Sequence, residues 1–286
     1  MDAELRARID GFMDAGDDER RAIADAIVEA SDETLSLARI DRTAVFLHRP
    51  SGMLMNLVPG GTFLMGLATE ERERLRQQYM YWDDCDEVEF HFARVEIGVL
   101  REVTIAPFLL AARPMSGTKL GGDRALPDLK KVAKLPAPKY IDFLTAFDAG
   151  TFGSSDVEEV ERTLAEVGLR LPSEAEHEWA ARAGTDNLFP HGNEIPKSPN
   201  IGENPFGFVD LGADAEVCAD GWVATMNGIP NDGSPRAPGP DRVVRGGAAS
   251  CYPWQGCGEW MLLLNGWRSA ASGNDGFLVA RPAMSL

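Results

Sequence analysis

Basic side chains are scarce in this chain: 28 Lys and Arg stand against 45 Asp and Glu, a formal net charge of −17 over 286 residues. Affinity for a phosphate backbone comes from counterions released by Lys and Arg, so this balance argues against nucleic acid or an anionic membrane as the main partner. Cysteine is equally sparse. Cys85, Cys218, Cys251 and Cys257 are too few for a disulfide framework at this length and fit a reducing compartment. The N-terminus, "MDAELRARIDGFMDAGDDERR", has acids from its second residue and no uninterrupted apolar run, so it reads as neither a signal peptide nor a membrane span, and the expected location is cytoplasmic. Histidine is rare too. His48, His91, His177 and His191 are isolated, and none forms the spaced pair with a nearby carboxylate that a non-haem iron site uses.

What is present is the composition of a soluble globular protein, with 44% hydrophobic and 26% charged residues, in a chain long enough to bury a sizeable core. Residues 2 to 38 read as helix: Leu5, Ile9, Phe12 and Met13 recur at helical spacing, and Ile23, Ile27 and Val28 share a face after the acidic start at Asp17 and Asp18. This prefix is expected to pack on the main domain, with self-association through the helices as the other use. From Met53 the texture becomes short apolar runs broken by Gly and Pro, which read as strands. "DVEEVERTLAEVGLRL" is helical, with Val157, Val160, Leu164 and Val167 at three- and four-residue steps. Ser173, with Glu176 three residues on, is a capping box that opens another helix, closed by Gly184. Beyond Gly184 loops dominate, and the class is α+β.

Six stretches occur in an order that resembles the formylglycine-generating-enzyme (sulfatase-modifying-factor) superfamily: "LVPGGTFLMG", "VTIAPFLLAARPMS", "LRLPSEAEHEWAARAG", "LFPHGN", "NPFGFVDLGADAEVCAD" and "RVVRGG…WRSA…GF". The resemblance spans about residues 53 to 282. It implies a C-type-lectin-like fold, rich in loops, over residues 49–286, with residues 1–48 as an N-terminal helical extension. It does not choose among the activities that the fold hosts: copper-dependent oxidation of a peptide cysteine, iron-dependent sulfoxide synthesis, and ligand binding without catalysis. His177 and His191 stand where relatives usually carry tryptophan, so they read as packing residues. Relatives bind structural calcium partly through an asparagine in "LGNVWEW"; here Ala213 takes its place and the motif's glutamate remains as Glu216, which leaves calcium without that ligand.

The C-terminal segment decides between the remaining readings. Residues 242 to 282 hold Trp254, Trp260 and Trp267, three of the six tryptophans, and both Cys251 and Cys257. Under an oxidase reading these two thiols would bind copper as catalytic residues, since thiolates suit Cu(I). Cys251 falls where the superfamily's "RGGSxxC" places its first cysteine, but Ala248 replaces the serine, Cys257 comes one residue late, and no arginine-rich run follows.

Residues 246–280 also resemble the variable region of proteins diversified by retroelements, with Gly258, Trp260, Leu264, Asn265, Arg268, Ser269, Gly276 and Phe277 on the scaffold pattern. That resemblance implies a ligand-binding face built from Ser250, Cys251, Tyr252, Trp254, Gln255, Glu259, Trp260, Leu263, Asn265, Trp267, Ser272, Asn274 and Asp275, with no cofactor and a protein or peptide as partner. The residue types fit independently. Tyr and Trp give large rigid contact area, while Ser, Asn and Gln give adaptable hydrogen bonding. Trp254 and Trp267 are expected to be exposed. Two further stretches are noted: the acidic "WDDCDEVEF" (82 to 90), whose carboxylates offer hard-cation ligands, and the lysine-bearing "GDRALPDLKKVAKLPAPK" (122 to 139), expected to be an exposed flap.

Overall fold

The computed structural model describes residues 2–79, 100–115, 157–196, 202–223, 228–247, 262–273 and 278–286. The N-terminal pattern forms two helices, α1 (Ala3–Asp10) and α2 (Asp17–Glu29), with a short 3-10 turn (Phe12–Asp14) between them. Asp2 caps α1 by accepting from the Leu5 amide at 2.8 Å. Asp17, Asp18 and Glu19 load the first turn of α2, where the helix dipole favours acids. Ile9, Phe12, Ile23, Ala24 and Ile27 are buried, so the apolar stripe packs inward as its spacing predicts.

The helical reading of residues 2 to 38 is corrected beyond Glu29. Asp32 and Glu33 take left-handed φ of 47° and 66°, which ends helical geometry. The chain then enters β1 (Leu35–Ile40) and β2 (Ala44–His48). Residues 35–48, expected within a helical extension, are thus largely strand.

β1 and β2 open a five-stranded sheet in the order β1-β2-β3-β6-β11, with β3 at Met53–Val58, β6 at Phe108–Ala111 and β11 at Ala283–Ser285. Every pairing in it is antiparallel. β4 (Gly61–Met65) and β5 (Arg101–Ile105) form a separate ribbon, and α3 (Thr69–Tyr79) follows β4. The strands expected from Met53 onward are therefore present. α4 (Val157–Ala165) buries Val157, Val160 and Leu164, the positions its spacing selects.

α5 (Glu174–Arg182) starts at the expected capping box: Ser173 Oγ accepts from the Glu176 amide at 3.0 Å and a Glu176 carboxylate oxygen accepts from the Ser173 amide at 2.8 Å. It ends at Ala183 and Gly184, both with positive φ. Among the described residues, the chain beyond Gly184 contributes short strands, the longest being β7 (Ala215–Gly221), and a 3-10 turn at Ala271–Gly273. β7 joins β8 (Arg242–Arg245), β9 (Ser269–Ala270) and β10 (Leu278–Val279) in a four-stranded sheet ordered β10-β7-β8-β9, where β10 and β7 run parallel.

The main apolar core joins both sheets: Phe46, Met55, Leu57 and Leu109 of the five-stranded sheet meet Ile9, Phe12, Ile23 and Ile27 of the N-terminal helices, Leu164 of α4, and Val217, Val244 and Leu278 of the four-stranded sheet. A second cluster surrounds Trp179 on α5, whose indole donates to the Pro59 carbonyl at 2.8 Å. A Cβ at Gly61 would come within 2.6 Å of that ring, so only glycine fits in "PGG" there.

Candidate functional site

α5 is buried on all sides although its sequence is "EAEHEWAAR". Burying carboxylates at such positions costs several kcal/mol each unless cations meet them. Glu174 and Glu178, four residues apart, share one helical face. Glu174 accepts from Arg268 Nε at 2.6 Å, Arg245 Nη1 at 3.2 Å and Arg236 Nη2 at 3.1 Å. Burial alone would raise its pKa, but Arg268, Arg245 and Arg236 outweigh burial and hold the carboxylate below its ordinary value. Glu178 accepts from Arg245 Nη2 at 2.8 Å, Arg182 Nε at 2.9 Å and the Gly66 amide at 2.8 Å. Arg182 in turn reaches Glu71 on α3 at 2.8 Å.

Alternation along β7 turns Glu216, Cys218 and Asp220 to one face of the strand. Asp220 accepts from the Glu174 amide at 2.6 Å and the Arg236 amide at 2.8 Å, and burial pushes its carboxyl up to about 6. Glu216 takes two bonds from Arg281, at 2.7 and 2.8 Å, and one from His177 Nε2 at 2.9 Å. Burial would raise Glu216, but the Arg281 and His177 contacts prevail and bring it down to about 2. Cys218 is fully buried, and desolvation first, then Asp220, pushes its thiol well up, so it is a packing residue rather than a nucleophile.

This ionic cluster holds both roots of the C-terminal segment. At the first root, Gly246 has φ +78° and a Cβ there would lie 2.0 Å from the Gly212 carbonyl oxygen; the Gly247 amide donates to that same oxygen at 3.1 Å. Arg245, immediately before, binds Glu174, Glu178 and the Asn265 carbonyl. At the second root, Asn265 is fastened by its amide to the Leu188 carbonyl and by its side chain to the Asn187 carbonyl, both at 2.8 Å. Arg268 closes on Glu174, donates to the Val223 carbonyl at 2.6 Å and lies 4.6 Å from the Trp222 ring centre. The excursion between Gly247 and Arg268 therefore leaves from, and returns to, arginines on one carboxylate.

Of the residues expected to form the binding face, Ser250, Cys251, Tyr252, Trp254, Gln255, Glu259, Trp260, Asn274 and Asp275 lie outside the described residues, as do Cys257, Cys85, His91 and both the acidic and lysine-bearing stretches. Three others are placed differently from expectation. Trp267, expected to be exposed, is 9% accessible, and Leu263 and Asn265 are 2% and 3% accessible. They belong to the returning root, where the backbone is drawn down onto Leu188 and Arg245, so their side chains face the scaffold. Ser272 is exposed, with its amide 3.1 Å from an Asp241 carboxylate oxygen and its hydroxyl bonded to the other oxygen. The sequence reading missed Glu174, Arg245 and Arg236 as the groups holding the segment. The available signal was a helix with charges at 174, 178 and 182 that also carries a core tryptophan.

His177 is buried as a packing residue would be, but it is hydrogen-bonded to Glu216 rather than simply filling space. His48 pairs with Ser51 at 2.7 Å, and His191 stacks on Phe189 with ring centres 5.6 Å apart. Among the described residues no group of three or more His, Cys, Asp or Glu side chains is arranged to hold a metal ion, and no helix is long and apolar enough to cross a membrane. A groove of about 480 Å³ lies by Ile105, Leu169, Leu171 and Ser285; Arg170, which lines it, is already bound to Glu176 through two 2.7 Å contacts.

The chain matches no known family model and no curated protein. Among solved structures it resembles PvdO from Pseudomonas aeruginosa, at 22% identity and a TM-score of 0.50, over 82% of this chain and 95% of that one. It also resembles variable protein 1 of Treponema denticola, at 16% identity and a TM-score of 0.43, over 88% of this chain and 99% of the other. At 22% identity the likeness to PvdO concerns the fold alone. The mixture of sheets and few helices agrees with a C-type-lectin-like architecture.

Proposed function

We propose that this chain is a non-catalytic recognition protein whose C-terminal segment, residues 249–275, binds a protein or peptide on a C-type-lectin-like scaffold. The observation that carries this reading is the double anchorage on Glu174: Arg245 and Arg268, at the two roots, bind the same buried carboxylate. A segment tied at both ends to a buried helix can vary in sequence without loosening the core, which is what a recognition surface needs. The segment's Tyr252, Trp254, Gln255, Ser250 and Asn274 are the residue types of such surfaces. The inward-facing Leu263, Asn265 and Trp267 then serve as its footing, and the ligand is met by the residues between the roots and by Ser272. No cofactor is needed for this activity, and retroelement diversification would supply the variety of the face.

The test is the DNA beside the gene together with a copper titration. A near-copy of the stretch encoding residues 246 to 280, differing mainly at adenines and accompanied by a reverse transcriptase gene, is the expected finding. Tight Cu(I) binding that disappears in Cys251→Ser or Cys257→Ser would overturn the reading in favour of a copper-dependent oxidase.

A further inference from the structure

The cluster beneath α5 is balanced in charge. Glu71, Glu174, Glu178, Glu216 and Asp220 are met by Arg182, Arg236, Arg245, Arg268 and Arg281, and each of these is at most 8% accessible. His177 lies in the same cluster at 2% accessibility. Its Nε2 is 2.9 Å from Glu216 of β7, while its Nδ1 has no hydrogen-bond partner. The charged groups around it are Glu216 from β7, Arg245 from β8 and Arg281 after β10, with Glu174 and Glu178 on its own helix and Asp214 beside Glu216.

This arrangement suits one protonation state. With a proton on Nε2 the ring donates to Glu216 and the cluster stays balanced. A second proton, on Nδ1, would be a buried donor with no acceptor, and would add a cation next to two guanidiniums. In the unfolded chain the imidazole takes that proton near pH 6.5. Acid therefore favours any state in which His177 is withdrawn from between α5 and the β7–β8 pair. Arg245, which spans α5 and β8, is also the first root of the C-terminal segment.

We propose that His177 is an acid-sensitive latch: its protonation opens the contact of α5 with β7 and β8 and frees the roots of the 246–268 excursion. Its consequence for ligand release rests on the recognition role proposed above; the latch itself does not. Burial, opposed by the Glu216 contact, also lowers the pKa of His177, in the direction the geometry requires. Asp220 titrates in the opposite sense, but it is common to the proteins compared below.

The experiment is amide hydrogen exchange on the full chain without ligand at pH 7.5 and 5.5, corrected for the intrinsic rate, in the wild type and in His177→Gln. Glutamine keeps a donor for Glu216 and does not titrate. Amides of residues 242–247 and 262–270 are expected to open about tenfold more at pH 5.5 in the wild type than in the variant, any acid response of His48 on β2 being common to both. An equal rise in both proteins, or no selective rise in the wild type, overturns the latch. If the variant does not fold, ring-nitrogen NMR of the wild type decides: a His177 that stays neutral until these amides open supports the latch, whereas one that titrates near pH 6.5 with them still protected overturns it. A failure to find any ligand would count against the recognition role and leave these readouts untouched.

Discussion

The two faces of the four-stranded sheet use the same strands for opposite kinds of packing. On β7, Ala215 and Val217 turn to the apolar core, while Glu216 and Asp220 bond to His177 and to the start of α5; on β8, Val244 and Arg245 divide in the same way. The apolar face is held by area, which is lost in small steps as methyl groups are removed. The ionic face is held by partners, and losing one strands the others in a place without water. Apolar contacts thus attach this sheet to the N-terminal helices, and specific charge pairs attach it to α5 and to the roots of the C-terminal segment.

The largest effect should come from removing the shared carboxylate. Glu174→Gln leaves Arg245, Arg268 and Arg236 without their common partner, and should cost about 3–5 kcal/mol. Val244→Ala, on the other face, should cost about 2 kcal/mol. Urea unfolding of both variants, compared at equal m-value, checks this. If Glu174→Gln proved the milder of the two, the distinction between the faces would collapse.

The apolar face was legible in the sequence and the ionic face was not, for a physical reason. Val157, Val160 and Leu164 declare their burial by spacing alone, and the capping box of Ser173 and Glu176 closes within three residues. The partners of Glu174 are 62, 71 and 94 residues away, and charged residues on a helix ordinarily signal solvent. The six motifs led to an expected architecture with which the mixture of sheets and few helices agrees, but they say nothing of such distant pairings. The burial of Trp267 was missed because a residue in a segment read as varied was taken to face outward. The strands at residues 35–48 were missed because nothing local marks Asp32 and Glu33, neither of them glycine, for positive φ.

Acid sharpens the comparison from the other sheet. Burial lowers His48, on β2, to about 4. A histidine depressed on folding is neutral in the native state, so its contribution is complete above the unfolded pKa near 6.5 and is lost as pH falls from there to about 4, in total about 3 kcal/mol. Asp220 works the other way: raised to about 6, its protonated form favours the folded state below that pH. Stability curves for His48→Asn should be flatter than the wild type between pH 6.5 and 4, with the change spread over the five-stranded sheet rather than the segment roots. Smaller again is Ser173→Ala. The buried hydroxyl accepts from the Glu176 amide at 3.0 Å and donates to the Gly233 carbonyl at 2.7 Å, and its loss should cost about 1–2 kcal/mol in thermal unfolding.

The smallest effect isolates what burial contributes. Arg21 and Asp25 on α2 form an acid–base pair four residues apart, as Glu178 and Arg182 do on α5. The α2 pair has side-chain accessibilities of 63% and 56%, against 0% for Glu178 and 5% for Arg182. Water and salt already solvate the exposed charges, so neither depends on the other. Asp25→Asn should therefore change stability by at most about 0.5 kcal/mol, a difference that 1 M salt should erase. Glu178→Gln should cost several times more and respond little to salt, because it leaves Arg182 and Arg245 facing each other where ions do not reach. Denaturation midpoints of both variants at low and high salt give the answer: equal and equally screened losses would mean that α5 is wetter than its packing implies.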